Sequence, residues 1–239
     1  MGDRDLGPDD ECKRSQRRTV AGWKIQQCLG EPTGSTSQVV ILAGVFANGL
    51  LSTVEQRFAV RLVGDEFIDF DNVDFTNVSL AIVFGCGHRI AERHLNKATF
   101  INLHGSLLPL GRGPHPHIWN WINGEPHGVT IHKMSAEIDR GPVIVQRKVE
   151  LEPWESSINS TIYALGDSAT ELFRETWDDL ADGSFTFKNP DPRSGSSHRF
   201  KDTQEIRDVV NRFADAPIPI FLQEVKARMA VSPSHQPGR

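Results

Sequence analysis

The chain is poor in cysteine, with Cys12, Cys28 and Cys86 as the three thiols among its 239 residues. They are widely spaced and form neither a Cys-x-x-Cys pair nor the Cys/His spacing of a zinc finger. The sequence therefore predicts no bound metal. Sparse, widely spaced cysteines that are odd in number are typical of a reducing compartment, so the expected location is cytoplasmic.

Long apolar runs and an excess of positive charge are also missing. No apolar run approaches the roughly 18 residues needed to span a bilayer, and the charged start lacks the apolar centre of a signal peptide. The net charge is −5 at pH 7. A negative chain does not suit a broad nucleic-acid or anionic-membrane surface, so we expect a soluble protein without either partner and disfavour a tRNA substrate.

The distribution of apolar residues predicts one α/β domain with appendages at both ends. Residues 1–37 are polar and form an N-terminal extension, residues 38–190 carry the regular pattern, and residues 191–239 form a C-terminal helical extension and tail. Apolar runs over 38–44, 58–63 and 80–85 are typical of buried parallel strands. About 35 residues separate the first run from the third, which leaves room for one intervening strand, so the first half of the sheet is predicted to be abridged.

The rest of the pattern predicts flanking helices and further strands. A short helix over 91–96 leads to a strand over 99–103, and runs over 128–132 and 143–151 alternate like a hairpin. A long amphipathic helix is expected from 158 to about 180, with Gly183 ending it, and a helix over 203–213 follows a loop. The apolar segment 218–225 is expected to pack on the core or on a second subunit, which leaves a homodimer open.

Three polar residues stand out near the strand over 99–103. Asn102 and His104 are two residues apart, so their side chains point the same way while Leu103 faces the core. Asp139 follows on a loop flanked by Gly and Pro. An imidazole can accept a proton near neutral pH, a carboxamide can donate to an oxyanion, and a carboxylate can orient the imidazole and stabilise its charge.

Four motifs in one order surround these residues, and together they resemble the N10-formyltetrahydrofolate-dependent formyltransferase superfamily. The motifs are Asn102-Leu103-His104, Ser106-Leu107-Leu108-Pro109, Gly128-Val129-Thr130-Ile131-His132 and Ile138-Asp139-Arg140-Gly141-Pro142. The resemblance implies a Rossmann-like fold, a catalytic domain over 38–190, and N10-formyltetrahydrofolate as formyl donor. It also implies catalytic roles for Asn102, His104 and Asp139.

The same resemblance places the loop that starts at Gly85 and the Asp139 loop around the folate. We therefore assign six residues to the donor pocket: Phe84, Gly85, Arg89, Ile90, Leu107 and Ile138. Ser106 lacks the Gly-x-Ser-x-Gly context of a serine nucleophile, so its hydroxyl is predicted to bond local backbone and to shape the turn after His104.

The resemblance implies a small-molecule amine as acceptor, and the segment after the SLLP motif indicates its class. The run Arg112 to Pro116 followed by an aromatic helix resembles the sugar-nucleotide branch of the superfamily, so His115, Pro116 and Trp119 are assigned to an amino-sugar nucleotide. His132 is predicted to be a structural histidine. Alternatives are an amino acid or carrier-bound amino acid as acceptor, hydrolysis of the formyl-folate by water, or a degenerate folate-binding protein without catalysis.

Overall fold

The computed structural model describes residues 39–63, 69–87, 89–191 and 193–231. The predicted extension over 1–37, with Cys12 and Cys28, lies outside the described residues, as does the tail from 232. Within the described ranges, no helix is both long enough and apolar enough to cross a membrane.

A six-stranded sheet forms the centre of the fold, in the order β2-β1-β3-β4-β5-β6. The first four strands pair in parallel, and β5 and β6 continue the sheet antiparallel. The strands are β1 Val39–Ala43, β2 Ala59–Val63, β3 Val78–Phe84, β4 Thr99–His104, β5 Gly128–Lys133 and β6 Val143–Lys148. The prediction of a mostly parallel α/β sheet is confirmed, and β2 is the strand beyond β1 where a full doubly wound half would hold two.

Helices flank both faces of the sheet. They are α1 Leu51–Val54, α2 Glu92–Leu95, α3 Pro116–Asn123, α4 Ile158–Asp182, α5 Phe200–Glu205, α6 Arg207–Phe213 and α7 Ile218–Val231. The long helix α4 begins at a capping box between Ser157 and Ser160 and ends at Gly183, whose φ of 69° suits glycine. Both ends lie where the sequence predicted them.

The strand β4 separates two apolar cores. Ile101 and Leu103 are buried under α4 together with Leu165 and Phe173, whereas Phe100 is buried in the core on the opposite face. Full burial of such side chains contributes about 1.5–3 kcal/mol each, so the register of β4 is strongly specified. Asn102 and His104 consequently share the face opposite α4, as the alternation predicted.

A third core joins the C-terminal helices to α3, and here two predictions need correction. The single helix predicted over 203–213 is two helices, because the backbone breaks at Ile206 (φ −114°, ψ 10°) and buries this side chain to 1% exposure. The segment after it, predicted only as apolar, is the helix α7. Its residues Ile218 and Phe221 pack with Ile118 and Trp119 of α3.

Candidate active site

The carboxyl end of β4 places the two predicted strand residues beside β5 and the Asp139 loop. In the antiparallel register, Asn102 lies opposite His132 and His104 lies opposite Thr130. Asp139 follows β5 and adopts a left-handed conformation with φ 52°. The structure therefore brings Asn102, His104 and Asp139 together, and it adds His132, which sequence reasoning had treated as structural.

The ring of His104 is fixed by a backbone carbonyl. Its Nε2–H donates to the oxygen of Gly111 at 2.9 Å, while Nδ1 faces Oδ2 of Asp139 at 3.7 Å. A neutral imidazole has a single N–H, so the proton on Nε2 leaves Nδ1 with a free lone pair. Once protonated, Nδ1 carries its charge toward the carboxylate. The group that orients the ring is thus Gly111, which the sequence did not predict, and Asp139 supplies the countercharge.

Asp139 is held as an anion in a mostly enclosed position. Its side chain is 10% exposed, Oδ2 accepts a hydrogen bond from the N–H of Gly113 at 2.8 Å, and Oδ1 lies 3.6 Å from Nε2 of His132. Burial by itself raises the pKa of this carboxyl, but the positive charge that His104 and His132 carry when protonated, together with the N–H of Gly113, outweighs burial and holds the pKa well below its ordinary value.

The carboxamide of Asn102 is oriented by His132. Nδ1–H of His132 donates to the oxygen of Lys133 at 3.0 Å, so Nε2 accepts from Nδ2 of Asn102 at 3.2 Å. His132 itself is 1% exposed. In the part of the chain that the structure describes, this bond occupies one of the two amide hydrogens of Asn102, and the other is left for a ligand. Asn102 and His132 are neighbours because β4 pairs with β5, a pairing that the sequence did not predict.

Thr130 holds the turn that follows His104. Its hydroxyl donates to the oxygen of Ser106 at 2.6 Å and accepts from the N–H of Leu108 at 3.1 Å and from Nε2 of Gln146 at 2.9 Å. Ser106 donates to the oxygen of Leu110 at 2.7 Å, as predicted for a residue that bonds local backbone. The Leu108–Pro109 peptide in this turn is cis.

The residues assigned to the donor pocket fall into two groups. Arg89 and Ile138 lie beside the Asp139 loop: Nη2 of Arg89 donates to the oxygen of Ala136 at 2.6 Å, and Ile138 is 54% exposed. Gly85 has a φ of 76°, and a Cβ there would lie 2.5 Å from the ring of Phe46. The loop after β3 therefore packs closely against Phe46, and Arg89 bonds it to the Asp139 loop.

The other assigned donor residues pack into the fold. Phe84 contacts Phe46, with ring centroids 5.2 Å apart, and lies in the core under α4. Ile90 is buried in the opposite core. Leu107 lies over Gly128, where a Cβ would come within 2.5 Å of its Cδ2.

The residues assigned to the acceptor cluster at the start of α3. His115, in a left-handed conformation with φ 55°, has its ring 6.0 Å from His117 and 5.9 Å from Phe200. Pro116 lies next to Gly105, one residue after His104. Trp119 is buried, stacks on His198 at 3.9 Å and donates from Nε1 to Thr203 at 3.1 Å. His115 and Pro116 therefore lie near the site, whereas Trp119 is enclosed by the C-terminal extension.

The chain is similar to known proteins in sequence and in fold. The family model described as formyl transferase matches residues 54–175. The dTDP-4-amino-4,6-dideoxyglucose formyltransferase of Mycobacterium tuberculosis (strain ATCC 25618 / H37Rv) is 35% identical over 129 residues, which cover 54% of this chain and 54% of that protein. The methionyl-tRNA formyltransferase of Roseiflexus castenholzii is 39% identical over 90 residues, 36% of this chain and 28% of that one.

The chain spans about half the length of the dTDP-sugar relative it matches (54%). Among solved structures, the formyltransferase PseJ from Anoxybacillus kamchatkensis, in complex with UDP-4,6-dideoxy-4-formamido-L-AltNAc and tetrahydrofolate, superposes with a TM-score of 0.67. It is 29% identical, and the match covers 77% of this chain and 97% of that one. The family match, the Rossmann-like sheet and the convergence of Asn102, His104 and Asp139 agree: the chain belongs to the formyltransferase family.

Proposed function

We propose that the chain is an N-formyltransferase that moves the formyl group of N10-formyltetrahydrofolate to the amine of an amino-sugar nucleotide. The observation that carries this proposal is the convergence of an amide N–H of Asn102, the Nδ1 lone pair of His104 and the carboxylate of Asp139 on one face at the end of β4. These are an oxyanion donor, a base and a countercharge, which formyl transfer to an amine requires.

His104 acts as the base through Nδ1. The carbonyl of Gly111 holds the proton on Nε2, so the ring meets the acceptor amine with its lone pair already exposed on the side of Asp139. As the amine bonds to the formyl carbon, its proton passes to Nδ1. The charge that develops on the ring lies 3.7 Å from Oδ2 of Asp139, which is anionic before the reaction begins.

Asn102 stabilises the formyl oxygen while that oxygen carries negative charge. Its remaining amide hydrogen is held in place because the other hydrogen is bound to His132. A donor fixed before the reaction needs no reorganisation, and loss of one such donor costs on the order of 100- to 1000-fold in rate. His104 then passes the proton from Nδ1 to the departing nitrogen of the formyl donor as the carbon–nitrogen bond breaks.

The two loops beside Asp139 suit the formyl donor. Formyltetrahydrofolate supplies an activated one-carbon group that an amine can take over. Backbone groups of the segment at Gly85 and of the Asp139 loop would hold it, with Phe84, Ile90 and Leu107 behind them. Arg89 ties the two loops together through the oxygen of Ala136, so they act as one wall. Ile138 is exposed beside these loops and offers an apolar surface to a ring of the folate.

Two relatives support an amino-sugar nucleotide as acceptor. One is named for a dTDP-amino sugar, and PseJ was solved with a UDP-formamido sugar and matches over 97% of its length. In this chain, Pro116 lies next to Gly105, where an acceptor would approach His104, and His115 precedes it. We further propose a cytoplasmic location and a homodimer, and analytical ultracentrifugation at several concentrations tests the dimer.

The function is tested by the release of tetrahydrofolate, followed by absorbance, from formyltetrahydrofolate and purified protein. Reactions without amine, with a panel of amino-sugar nucleotides and with amino acids are run in parallel. We expect turnover that depends on an amino-sugar nucleotide and that falls below about a tenth in His104→Ala. Turnover in buffer alone would indicate a hydrolase, and binding without turnover would indicate a degenerate folate-binding protein.

A further inference from the structure

A segment of the C-terminal extension crosses the loop that fixes the catalytic residues. We call residues 194–198 the strap and residues 109–113 the His104 loop. The two run parallel at a bridge between Arg112 and Ser197. The strap lies outside residues 54–175, which the family model matches, and beyond the predicted catalytic domain.

The contact requires glycine on both sides. Gly195 of the strap has a φ of 94°, and a Cβ there would lie 1.9 Å from the oxygen of Pro109. Gly113 of the His104 loop has a φ of 92°, and a Cβ there would lie 2.1 Å from the oxygen of His198. Real Cβ atoms do not approach backbone oxygens this closely, so the two main chains touch where neither has a side chain.

The peptide plane between Gly111 and Arg112 joins the strap to His104. The oxygen of Gly111 accepts from Nε2 of His104 at 2.9 Å, and the N–H at the other end of that plane, on Arg112, donates to the oxygen of Ser196 at 3.1 Å. Because a peptide unit is planar, the strap sets the direction in which this carbonyl points.

The next plane joins the strap to Asp139. The oxygen of Arg112 accepts from the N–H of His198 at 3.0 Å, and the N–H of Gly113 donates to Oδ2 of Asp139 at 2.8 Å. Two consecutive planes thus each have one end on the strap and the other on a catalytic side chain.

The hydroxyl of Ser196 adds a third attachment. It accepts from the N–H of Gly111 at 2.7 Å and donates to Oε2 of Glu125 at 2.9 Å, which anchors the strap to the loop after α3. Nη1 of Arg112, a buried side chain, donates to the oxygen of Ser194 at 2.9 Å.

We infer that the strap is a positioning element for catalysis: by holding two consecutive peptide planes, it sets the tautomer of His104 and the placement of Asp139. This inference rests on the proposed function for its catalytic meaning. Ser196 and Gly195 are positioning residues, because they act on the His104 loop, through Gly111, Arg112 and Pro109, rather than on reacting atoms. Residues 194–198 therefore belong to the catalytic unit although they lie far along the chain.

The test compares Gly195→Ala and Ser196→Ala with Ser194→Ala and Ser196→Thr. Alanine at 195 pushes the strap off Pro109, and alanine at 196 removes the hydroxyl bridge. Ser194→Ala is the matched control, since the Ser194 hydroxyl bonds the oxygen of Asp191 within the same turn. Ser196→Thr keeps a hydroxyl and is expected to rescue the alanine variant.

The first readout is the ¹⁵N NMR signature of the His104 ring in the ligand-free protein, assigned with a His104→Gln sample. Wild type, Ser194→Ala and Ser196→Thr should show the proton on Nε2, and Gly195→Ala and Ser196→Ala should show a mixture of tautomers. The second readout separates kcat from KM. Misplacement near 1 Å costs about 100-fold, so kcat should fall by up to that factor in Gly195→Ala while KM changes by less than about threefold.

These readouts separate the two proposals. A tautomer change in a protein without transferase activity would retain the strap's role and overturn the proposed function. Transfer by wild type with an unchanged tautomer and unchanged kcat in Ser196→Ala and in a folded Gly195→Ala would overturn the strap's role. If Gly195→Ala does not fold, Ser196→Ala decides, because it removes the bond between the hydroxyl and the N–H of Gly111 without placing a new side chain against the His104 loop.

Discussion

Nε2 of His132 lies 3.2 Å from Nδ2 of Asn102, and this contact joins a strand residue assigned to catalysis to a buried histidine on the neighbouring strand. The direction of the bond is set by the oxygen of Lys133, which accepts from Nδ1–H, the single N–H of the neutral ring. His132 also faces Asp139, at 3.6 Å. A histidine that touches two proposed catalytic groups is expected to matter for rate even though it is enclosed by protein.

We predict that His132→Leu lowers kcat by about 10- to 100-fold, because the amide of Asn102 loses the partner that holds it in position. Steady-state transfer by the single variants and by the double variant with Asn102→Ala measures the coupling. If His132 acts through Asn102, the double variant is no slower than Asn102→Ala alone. Additive losses would show instead that His132 acts mainly through Asp139.

Removal of the charge of Asp139 is predicted to slow transfer while leaving the fold intact. Asn at this position keeps the shape and tolerates the φ of 52°, since Asn is enriched in the left-handed region. The imidazolium of His104 then has no countercharge, and we expect kcat to fall by about 100-fold or more. Glu137→Gln is the control, because this exposed carboxylate lies in the same loop. Equal activity of both variants would contradict the role of Asp139.

Two glycines test the opposite effects that a new Cβ can have on the free energy of unfolding. A Cβ on Gly141, in the Asp139 loop, would lie 1.8 Å from the oxygen of Lys133, whereas nothing lies within 4 Å of one on Gly166 in α4. We predict that Gly141→Ala lowers the free energy of unfolding by about 1–3 kcal/mol or more, and that Gly166→Ala raises it by about 1 kcal/mol. Urea unfolding measures both, and opposite signs are the expected result.

Side-chain periodicity predicted a large part of this fold. Asn102 and His104 share a face because Ile101 and Leu103 are buried under α4, and α4 itself follows from its apolar spacing and its terminal Gly183. The break at Ile206 was missed, because the surrounding sequence carries neither Gly nor Pro and the break is set by the burial of one side chain in a tertiary core. Burial of this kind has no local signature.

The main-chain groups of the site were missed for a related reason. The carbonyl of Gly111 and the N–H of Gly113 hold His104 and Asp139, yet every residue has such groups, and their direction depends on tertiary contacts. The bond from Gly111 to Ser196 joins residues 85 positions apart. A sequence pattern indicates which side chains can react, while the groups that orient them appear only when the chain is folded.

His127 offers a test of how burial controls stability with pH. It is 6% exposed, its ring centroid lies 4.2 Å from that of Trp121, and across the described residues neither ring nitrogen has a hydrogen-bond partner. Burial lowers the pKa of His127 from 6.5 to about 4. The folded protein therefore keeps this ring neutral at pH values where the unfolded chain takes up a proton.

We predict that this difference destabilises the wild-type fold as the pH falls from 6.5 toward 4 and that His127→Phe removes the effect. The depressed pKa means that stability is fully present above pH 6.5 and is lost below it, by up to about 1.4 kcal/mol per pH unit. Urea unfolding near neutral pH and near pH 5 should show that the free energy of unfolding of the variant rises relative to that of wild type as the pH falls.

His117, whose pKa burial lowers to about 3, titrates in both proteins, so its contribution largely cancels in the comparison. A difference between the two proteins that does not change with pH would mean that His127 is protonated in the folded state, and that the ring reaches water or an acceptor despite its burial.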